Sequence, residues 1–351
     1  MKFSILMPVY KAKDYLEESV RSVLSQVFSD YELLLVEDGS PDESGAICDR
    51  LAAENPGRIR VLHCPHRGTI PTRREAVRAA CGDYILWLDS DDLMEAGTLL
   101  SLHKLLEEYA FPDILLYEFT AFYDDGRPDD RRPPLFADGT CFETEEAKKE
   151  LYELYIRSNQ LDALWDKAVR RELFQDDPSD YSAVLSNPYG EDALHGLYPL
   201  TKAKRIVYTD RPFCRYRIRR DSVMHEFDTS RLDQRFNTGK FDFFKPFMKQ
   251  WGLWDPEHLL LLKASSYRGV LDGILYFLME EGYDQKAVRR YAKSFVKDHP
   301  ELLSLSRSSA LSPKQRLIFA LFAGGQFSLL VRIIRLRRKL SGRMQKIRAK
   351  R

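Results

Sequence analysis

The chain runs to 351 residues, 44% of them hydrophobic, with 54 Lys and Arg against 53 Asp and Glu. That length buries a sizeable core, as one large domain plus an appendage, and no low-complexity stretch long enough for a disordered polypeptide interrupts it. Five cysteines, an odd number without a C-x-x-C, argue for reduced thiols in a cytosol and against a disulfide frame or a zinc site. The first residues hold one lysine and a short apolar stretch before Pro8, which is not a signal-peptide pattern.

Phe3 to Val9 predicts a short apolar strand. Asp14 then precedes a helix pattern with Leu16, Val20, Val23, Leu24 and Val27 on one face. A second buried strand is predicted over Tyr31 to Val36, ending in Glu37-Asp38-Gly39-Ser40. Ser40-Pro41-Asp42-Glu43 reads as a capping box with proline at the first helical position. Strand, tight turn and helix start follow one another as in nucleotide-binding βα units. The signatures G-x-G-x-x-G and G-x-x-x-x-G-K-[ST] are both absent, so the Rossmann dinucleotide and P-loop readings fail.

The most informative stretch is Tyr84-Ile85-Leu86-Trp87-Leu88-Asp89-Ser90-Asp91-Asp92, an apolar run that ends in three carboxylates. The run has the make-up of a buried central strand, and ligands of open α/β sheets gather beyond the carboxyl ends of such strands. Two acids one residue apart suit a divalent cation that keeps open positions for phosphate oxygens. Asp92, before Leu93, also fits a helix N-cap. An EF-hand does not fit, because Met94 and Leu100 fall where its glycine and last glutamate belong.

Strands and helices alternate to about Tyr117, which predicts a mostly parallel sheet with helices on both faces. Asp124 to Asp138, rich in Asp, Arg and Pro, reads as an exposed loop or hairpin. Thr144 to Arg157 predicts a helix and Ala163 to Val169 a strand. Glu191-Asp192 opens a helix after Asn187-Pro188-Tyr189-Gly190, and Arg205 to Arg217 predicts two short strands around Pro212. Beyond Asp228 the periodicity is helical. From Ser312 onward there are 12 Lys and Arg and no acid, which leaves a net −11 on the rest of the chain. Phe327 to Leu340 sets Leu, Ile and Val against Arg332, Arg335, Arg338 and Lys339, a basic amphipathic pattern suited to an anionic membrane surface. A core-packing helix with a basic end is the competing reading. No nucleic-acid motif accompanies the charge.

Taken in order, Met7-Pro8-Val9-Tyr10, Glu37-Asp38-Gly39-Ser40, Gly68 with Arg73, Ala80-Cys81-Gly82-Asp83-Tyr84-Ile85, Leu88-Asp89-Ser90-Asp91-Asp92, Leu164-Trp165-Asp166-Lys167, Gly190-Glu191-Asp192 and Tyr216-Arg217 with Ser222 resemble family 2 of the glycosyltransferases, over roughly the first 225 residues. The resemblance implies a GT-A fold, Rossmann-like, with a C-terminal helical appendage. It also implies a metal-dependent, inverting transfer of one sugar from a nucleotide sugar, a UDP-sugar foremost, to a saccharide or lipid-linked saccharide acceptor. By the same resemblance Pro8 belongs to the nucleotide site, and Tyr10 and Asp38 hold the base, Tyr10 by stacking and Asp38 by accepting a ring N–H. Arg73 lies against the nucleotide. Asp89 approaches the ribose or the metal's water shell, and Asp91 ligates Mn²⁺ or Mg²⁺, with His225 as a further ligand. Asp192 is the general base. Arg217, with Arg219 and Arg220, sits in a loop that closes over the diphosphate.

The chain departs from the family pattern at Lys11, His66 and Arg74, where asparagine is more common, and at Ala76, where glycine is. The motif Q-x-x-R-W of processive synthases is absent, which favours a single-sugar transferase. The expected organisation is a glycosyltransferase domain over 1–227, a helical region over 228–311 and a basic membrane-associating tail over 312–351, placing the protein in the cytoplasm on the inner face of the membrane. Two other classes compete. One is a catalytically silent sugar-nucleotide-binding protein on the same fold. The other is a sugar nucleotidyltransferase, whose glycine-rich N-terminal signature Met7 to Asp14 lacks.

Overall fold

The computed structural model describes residues 2–182, 184–185, 190–219, 227–229, 232–233, 239–280 and 282–336. Three βα units open the chain: β1 (Phe3–Val9) and α1 (Leu16–Leu24), β2 (Tyr31–Glu37) and α2 (Ser44–Glu54), β3 (Ile59–His63) and α3 (Thr69–Ala79). They are followed by β4 (Tyr84–Trp87), β5 (Leu93–Met94), α4 (Thr98–Glu108), β6 (Ile114–Phe122), β7 (Cys141–Phe142), α5 (Glu145–Arg157), β8 (Lys167–Arg170), α6 (Arg171–Gln175), α7 (Glu191–Lys202) and β9 (Ile206–Arg217). The strands form one sheet in the order β3-β2-β1-β4-β8-β6-β9-β5, with β7 beside β9.

The β3-β2-β1-β4 half is parallel, as the alternating pattern predicts. Beyond β4 the pairings are antiparallel, apart from β6 with β9. Burial alternates along the central strands. Ile5, Met7, Leu33, Leu35, Leu86 and Leu88 pack beneath α1, α2 and α4, whereas Leu6, Leu34, Val36, Ile85 and Trp87 pack against α3. Gly82 explains how closely the β4 turn meets β1. A Cβ there would lie 2.5 Å from the Phe3 carbonyl carbon and the Ser4 nitrogen.

Several sequence expectations are corrected. Val27 lies beyond the end of α1 and is 78% exposed. Ser40 does not cap α2. Its hydroxyl accepts from the Lys11 amide, and Asp42 accepts from Ser44 N at the helix start. Asp92 is buried and precedes β5, not a helix, because it is taken up by Arg217 N at 2.8 Å. Residues 206–217 form one strand with irregular register at Pro212, in place of two.

The chain forms two compact units, Met1–Arg220 with Gly239–Leu253, and Asp221–Thr238 with Trp254–Arg351. The helix Gly239–Gln250 therefore belongs to the sheet unit, not to a helical region starting at 228. Trp251 anchors the returning segment. It stacks on Tyr152 at 4.4 Å, and its indole N–H donates to Thr201.

The second unit is helical, with Pro256–Met279, Gln285–Asp298, Glu301–Leu305, Pro313–Ala323 and a helical stretch over 327–336. Asp255 and Asp284 cap the first two helices, and Ser312 with Gln315 forms a capping box on Pro313–Ala323. Phe319, Phe322, Phe327, Leu330 and Val331 are buried with Tyr267, Ile274, Phe277 and Phe295. Part of the region 312–351 expected to associate with a membrane is thus core, as far as Val331, and the basic stretch 337–351 lies outside the described residues. Among the described residues no helix is long and apolar enough to cross a membrane.

Candidate active site

The parallel register places the carboxyl ends of β1, β2 and β4 along one edge of the sheet. Tyr10, Asp38 and Asp89 follow those three ends. Pro8 lies within β1 opposite Val36 and shapes the strand that presents Tyr10. Asp38 is buried, and its amide donates to Val9 O at 3.0 Å. Thr72 Oγ1 donates to its Oδ1 at 2.7 Å, Arg67 N donates to the same oxygen, and His66 Nδ1 lies 2.8 Å from its Oδ2. The His66 ring in turn stacks on Tyr10, 4.3 Å between centroids and 9° between planes. Gly39 permits this closeness. Its φ is +64°, and a Cβ there would meet His66 N at 2.9 Å.

Arg73 rises from α3 into the interior, 5% exposed, with its guanidinium 5.5 Å above the Trp87 ring. It forms an ion pair with Asp192, and among the described residues its Nε has no hydrogen-bond partner. Burial opposes its charge, but Asp192, Glu191 and Asp89 outweigh burial and hold it protonated. Asp192 and Glu191 begin α7, where acids favour the helix dipole.

Asp89, after the end of β4, is half-buried beside these charges. Burial, then Asp192, with Asp91 and Glu191 adding to it, raises its pKa to about 7 against the pull of Arg73. Glu191 is also raised to about 7, by burial and by Asp192. Asp91 faces Arg219, whose guanidinium lies 3.1 Å from Oδ2 and 4.7 Å above the Tyr15 ring.

This surplus of carboxylate is what a hard cation would relieve. No group of three or more His, Cys, Asp or Glu forms a ready-made cage among the described residues. Asp89 and Asp91 fit an ion of the Mg²⁺ or Mn²⁺ kind that takes one or two carboxylates and fills its remaining positions with phosphate oxygens and water. His225, the expected further ligand, lies outside the described residues.

Arg217 departs from its expected role. Its Nε donates to Asp91 O at 2.7 Å, its other nitrogens pair with Glu18 and Asp124, and its plane lies between Tyr15 and Phe122. The guanidinium is committed to bracing α1, the loop after β4 and the end of β6, so it is not a free clamp for a diphosphate.

Sequence reasoning passed over His195, one turn beyond Asp192. It is buried and held neutral, because burial and the charges of Arg73 and Arg74 push its pKa well below the usual range. It borders a cavity of about 40 Å³ with Arg74 and Asp177. Its one sequence signal is its i+3 position from Asp192 on α7.

The profile of the family described as Glycosyl transferase family 2 matches residues 4–174. The chain is 30% identical over 217 residues to EpsJ of Bacillus subtilis, named as an uncharacterized glycosyltransferase, covering 61% of this chain and 60% of that one. It is 27% identical over 230 residues to the glycosyltransferase GlyA of Streptococcus pneumoniae, covering 63% of this chain and 31% of GlyA. The chain thus spans between about a third and three fifths of these relatives' length. In three dimensions it resembles residues 1–349 of S. aureus TarS, crystallised with UDP-GlcNAc. The TM-score is 0.55 at 18% identity, over 93% of this chain and 91% of that one.

Proposed function

From the match of residues 4–174 to glycosyl transferase family 2, we propose that the chain moves one sugar from a nucleotide sugar to a saccharide or lipid-linked saccharide acceptor of a cell-surface polysaccharide, with inversion. The observation that carries this reading is the cluster of acids around Arg73. Asp89 and Asp91 at the end of β4 share a field with Glu191 and Asp192 at the start of α7, around one buried arginine.

In this reading Tyr10 and Asp38 bind the base, while Asp89 and Asp91 hold Mn²⁺ or Mg²⁺. The ion, when bound, supplies Lewis-acid stabilisation of the leaving diphosphate. Arg73 orients the Asp192 carboxylate through their ion pair. Asp192 takes the acceptor hydroxyl's proton as that oxygen bonds to the anomeric carbon from the face opposite the leaving group. The bond from that carbon to the diphosphate oxygen breaks, and its electron pair leaves with the nucleoside diphosphate.

The test is a panel of nucleotide sugars, headed by UDP-GlcNAc as bound in the TarS crystal structure, assayed for hydrolysis and binding with Mn²⁺ and with EDTA. Metal-dependent binding that disappears in Asp91→Ala supports the reading. Binding of no member by the wild type sinks it. Binding with no transfer to any acceptor favours the silent-binding alternative.

We also propose a peripheral location on the inner face of the membrane. The apolar residues left for such a contact are not those buried in the helical core but Leu317, Leu329 and Leu336, which are 52%, 46% and 60% exposed. Arg332 and Arg335 lie among them, and the basic sequence 337–351 follows.

A further inference from the structure

We propose that Trp165, backed by Tyr216, is a stacking platform for a pyranose ring beside the acidic cluster, a role that rests on the transferase reading above. The register of β4 against β8 runs Tyr84↔Arg170, Ile85↔Val169, Leu86↔Ala168. Counted on three residues from the last pair, Leu86↔Ala168, the same register would set Trp165 opposite Asp89, each two residues outside its own strand. From the other side, Tyr117 N donates to Asp166 O at 2.9 Å, so β6 fixes the neighbouring residue at the same edge of the sheet.

The Trp165 and Tyr216 rings are stacked, 5.2 Å apart and 17° from parallel. Phe119 meets both edge-on, at 4.8 and 6.1 Å. The pair is close to the chemistry. After burial, the charges of Asp92, Asp89, Asp91 and Asp192 all act on the Tyr216 phenol.

Its base is rigid. Glu118, fully buried, accepts from Arg132 Nε and from Tyr208 Oη, both at 2.7 Å, and Arg132 covers the Phe119 ring. Nor is the pair simply core. Trp165 packs in part against the core on both faces of the sheet, yet Trp87, under Arg73, is 3% exposed, whereas Trp165 and Tyr216 are not fully buried.

A pyranose presents one face of C–H groups and a rim of hydroxyls. An aromatic plane beside carboxylates matches both, the ring for the C–H face and the acids for the hydroxyls. The ring could belong to the donor sugar or to the acceptor, and these have different signatures.

The experiment compares Trp165→Leu, which keeps apolar bulk without a π face, and Trp165→Phe with the full-length wild type. The ligands are the nucleotide sugar selected by the panel, its bare nucleoside diphosphate, and a saccharide acceptor. A donor platform predicts that Trp165→Leu loses roughly tenfold or more in affinity for the nucleotide sugar, keeps affinity for the bare diphosphate, and is partly rescued by Phe. An acceptor platform predicts unchanged donor affinity and a similar rise in acceptor KM. Unchanged values for all three ligands overturn the proposal. So does a fall in diphosphate affinity that parallels the nucleotide-sugar loss together with a lowered Tm, because the ring would then be acting as core. A wild type that binds no nucleotide sugar sinks the transferase reading and this inference with it, whereas intact wild-type binding with indifferent variants removes the platform alone.

Discussion

Replacing Asp89 by asparagine should stabilise the metal-free fold, and the gain should grow with pH. The Asp89 carboxyl moves from an ordinary 3.8 to about 7 because burial and neighbouring acids disfavour its charge. A carboxyl raised in the native state binds a proton there that the unfolded chain has already released. Native stability therefore falls as pH climbs from near the unfolded value to about 7, and the loss is complete above that. A displacement of that size corresponds to about 4 kcal/mol as an upper bound, of which roughly 2 to 3 kcal/mol develops between pH 5 and pH 8. Asparagine cannot ionise and escapes the loss. Urea unfolding of variant and wild type in EDTA, at pH 5 and pH 8, reads Asp89 together with the groups that feel its charge, Asp92 and Arg73 among them, because titrations elsewhere cancel in the difference. Saturating Mn²⁺ should then raise wild-type stability most at pH 8 and the variant's far less, with protons released on binding at pH 6 to 7. A variant less stable than wild type by the same amount at both pH values would refute the electrostatic account of the cluster.

Three other expectations follow from the same geometry. Asp192→Asn should keep donor affinity by calorimetry and lose at least about 10²-fold in transfer rate at saturating donor and acceptor; near wild-type turnover would remove it as the base. Gly82→Ala should cost about 3 kcal/mol in a denaturant melt, since the β1 backbone must retreat from the new methyl; a loss under about 1 kcal/mol would mean that the turn yields. Leu329→Ser with Leu336→Ser should reduce sedimentation of the full chain with anionic vesicles, and salt should weaken wild-type binding at about 1 kcal/mol per engaged basic residue; equal sedimentation of variant and wild type would show that these leucines take no part.

Local pattern made much of this legible. The apolar runs at Phe3–Val9, Tyr31–Glu37 and Tyr84–Trp87 have no other low-energy use than buried strands, and they pair in parallel, so Tyr10, Asp38 and Asp89 follow neighbouring strand ends. What failed was competition among partners that are distant in sequence. Ser40 satisfies the rule for a cap, but the Lys11 amide, held at a φ of 52°, reaches it across the sheet edge. Asp92 likewise satisfies a cap rule, yet a donor 125 positions later claims it. Arg217 looks like a phosphate clamp until Glu18 and Asp124 are brought beside it. The C-terminal periodicity gave a true amphipathic signal, but periodicity identifies an apolar face without saying whether protein or lipid covers it. At 319–331 the answer was Phe277, Phe295 and their neighbours.

The discontinuity of the sheet unit has a consequence for synthesis. A nascent chain that has released all nine strands still lacks the helix Gly239–Gln250 and Trp251. Until those emerge from the ribosome, the aromatic face of Tyr152 and the hydroxyl of Thr201 wait without their partner. The unit therefore cannot close in simple N-to-C order. Roughly twenty residues of the second unit must be threaded past before the first is complete, a vulnerable interval for a nascent domain. For the same reason, any fragment ended near residue 227 would carry every strand and every acid of the cluster, yet leave a hole in the wall behind α5 and α7.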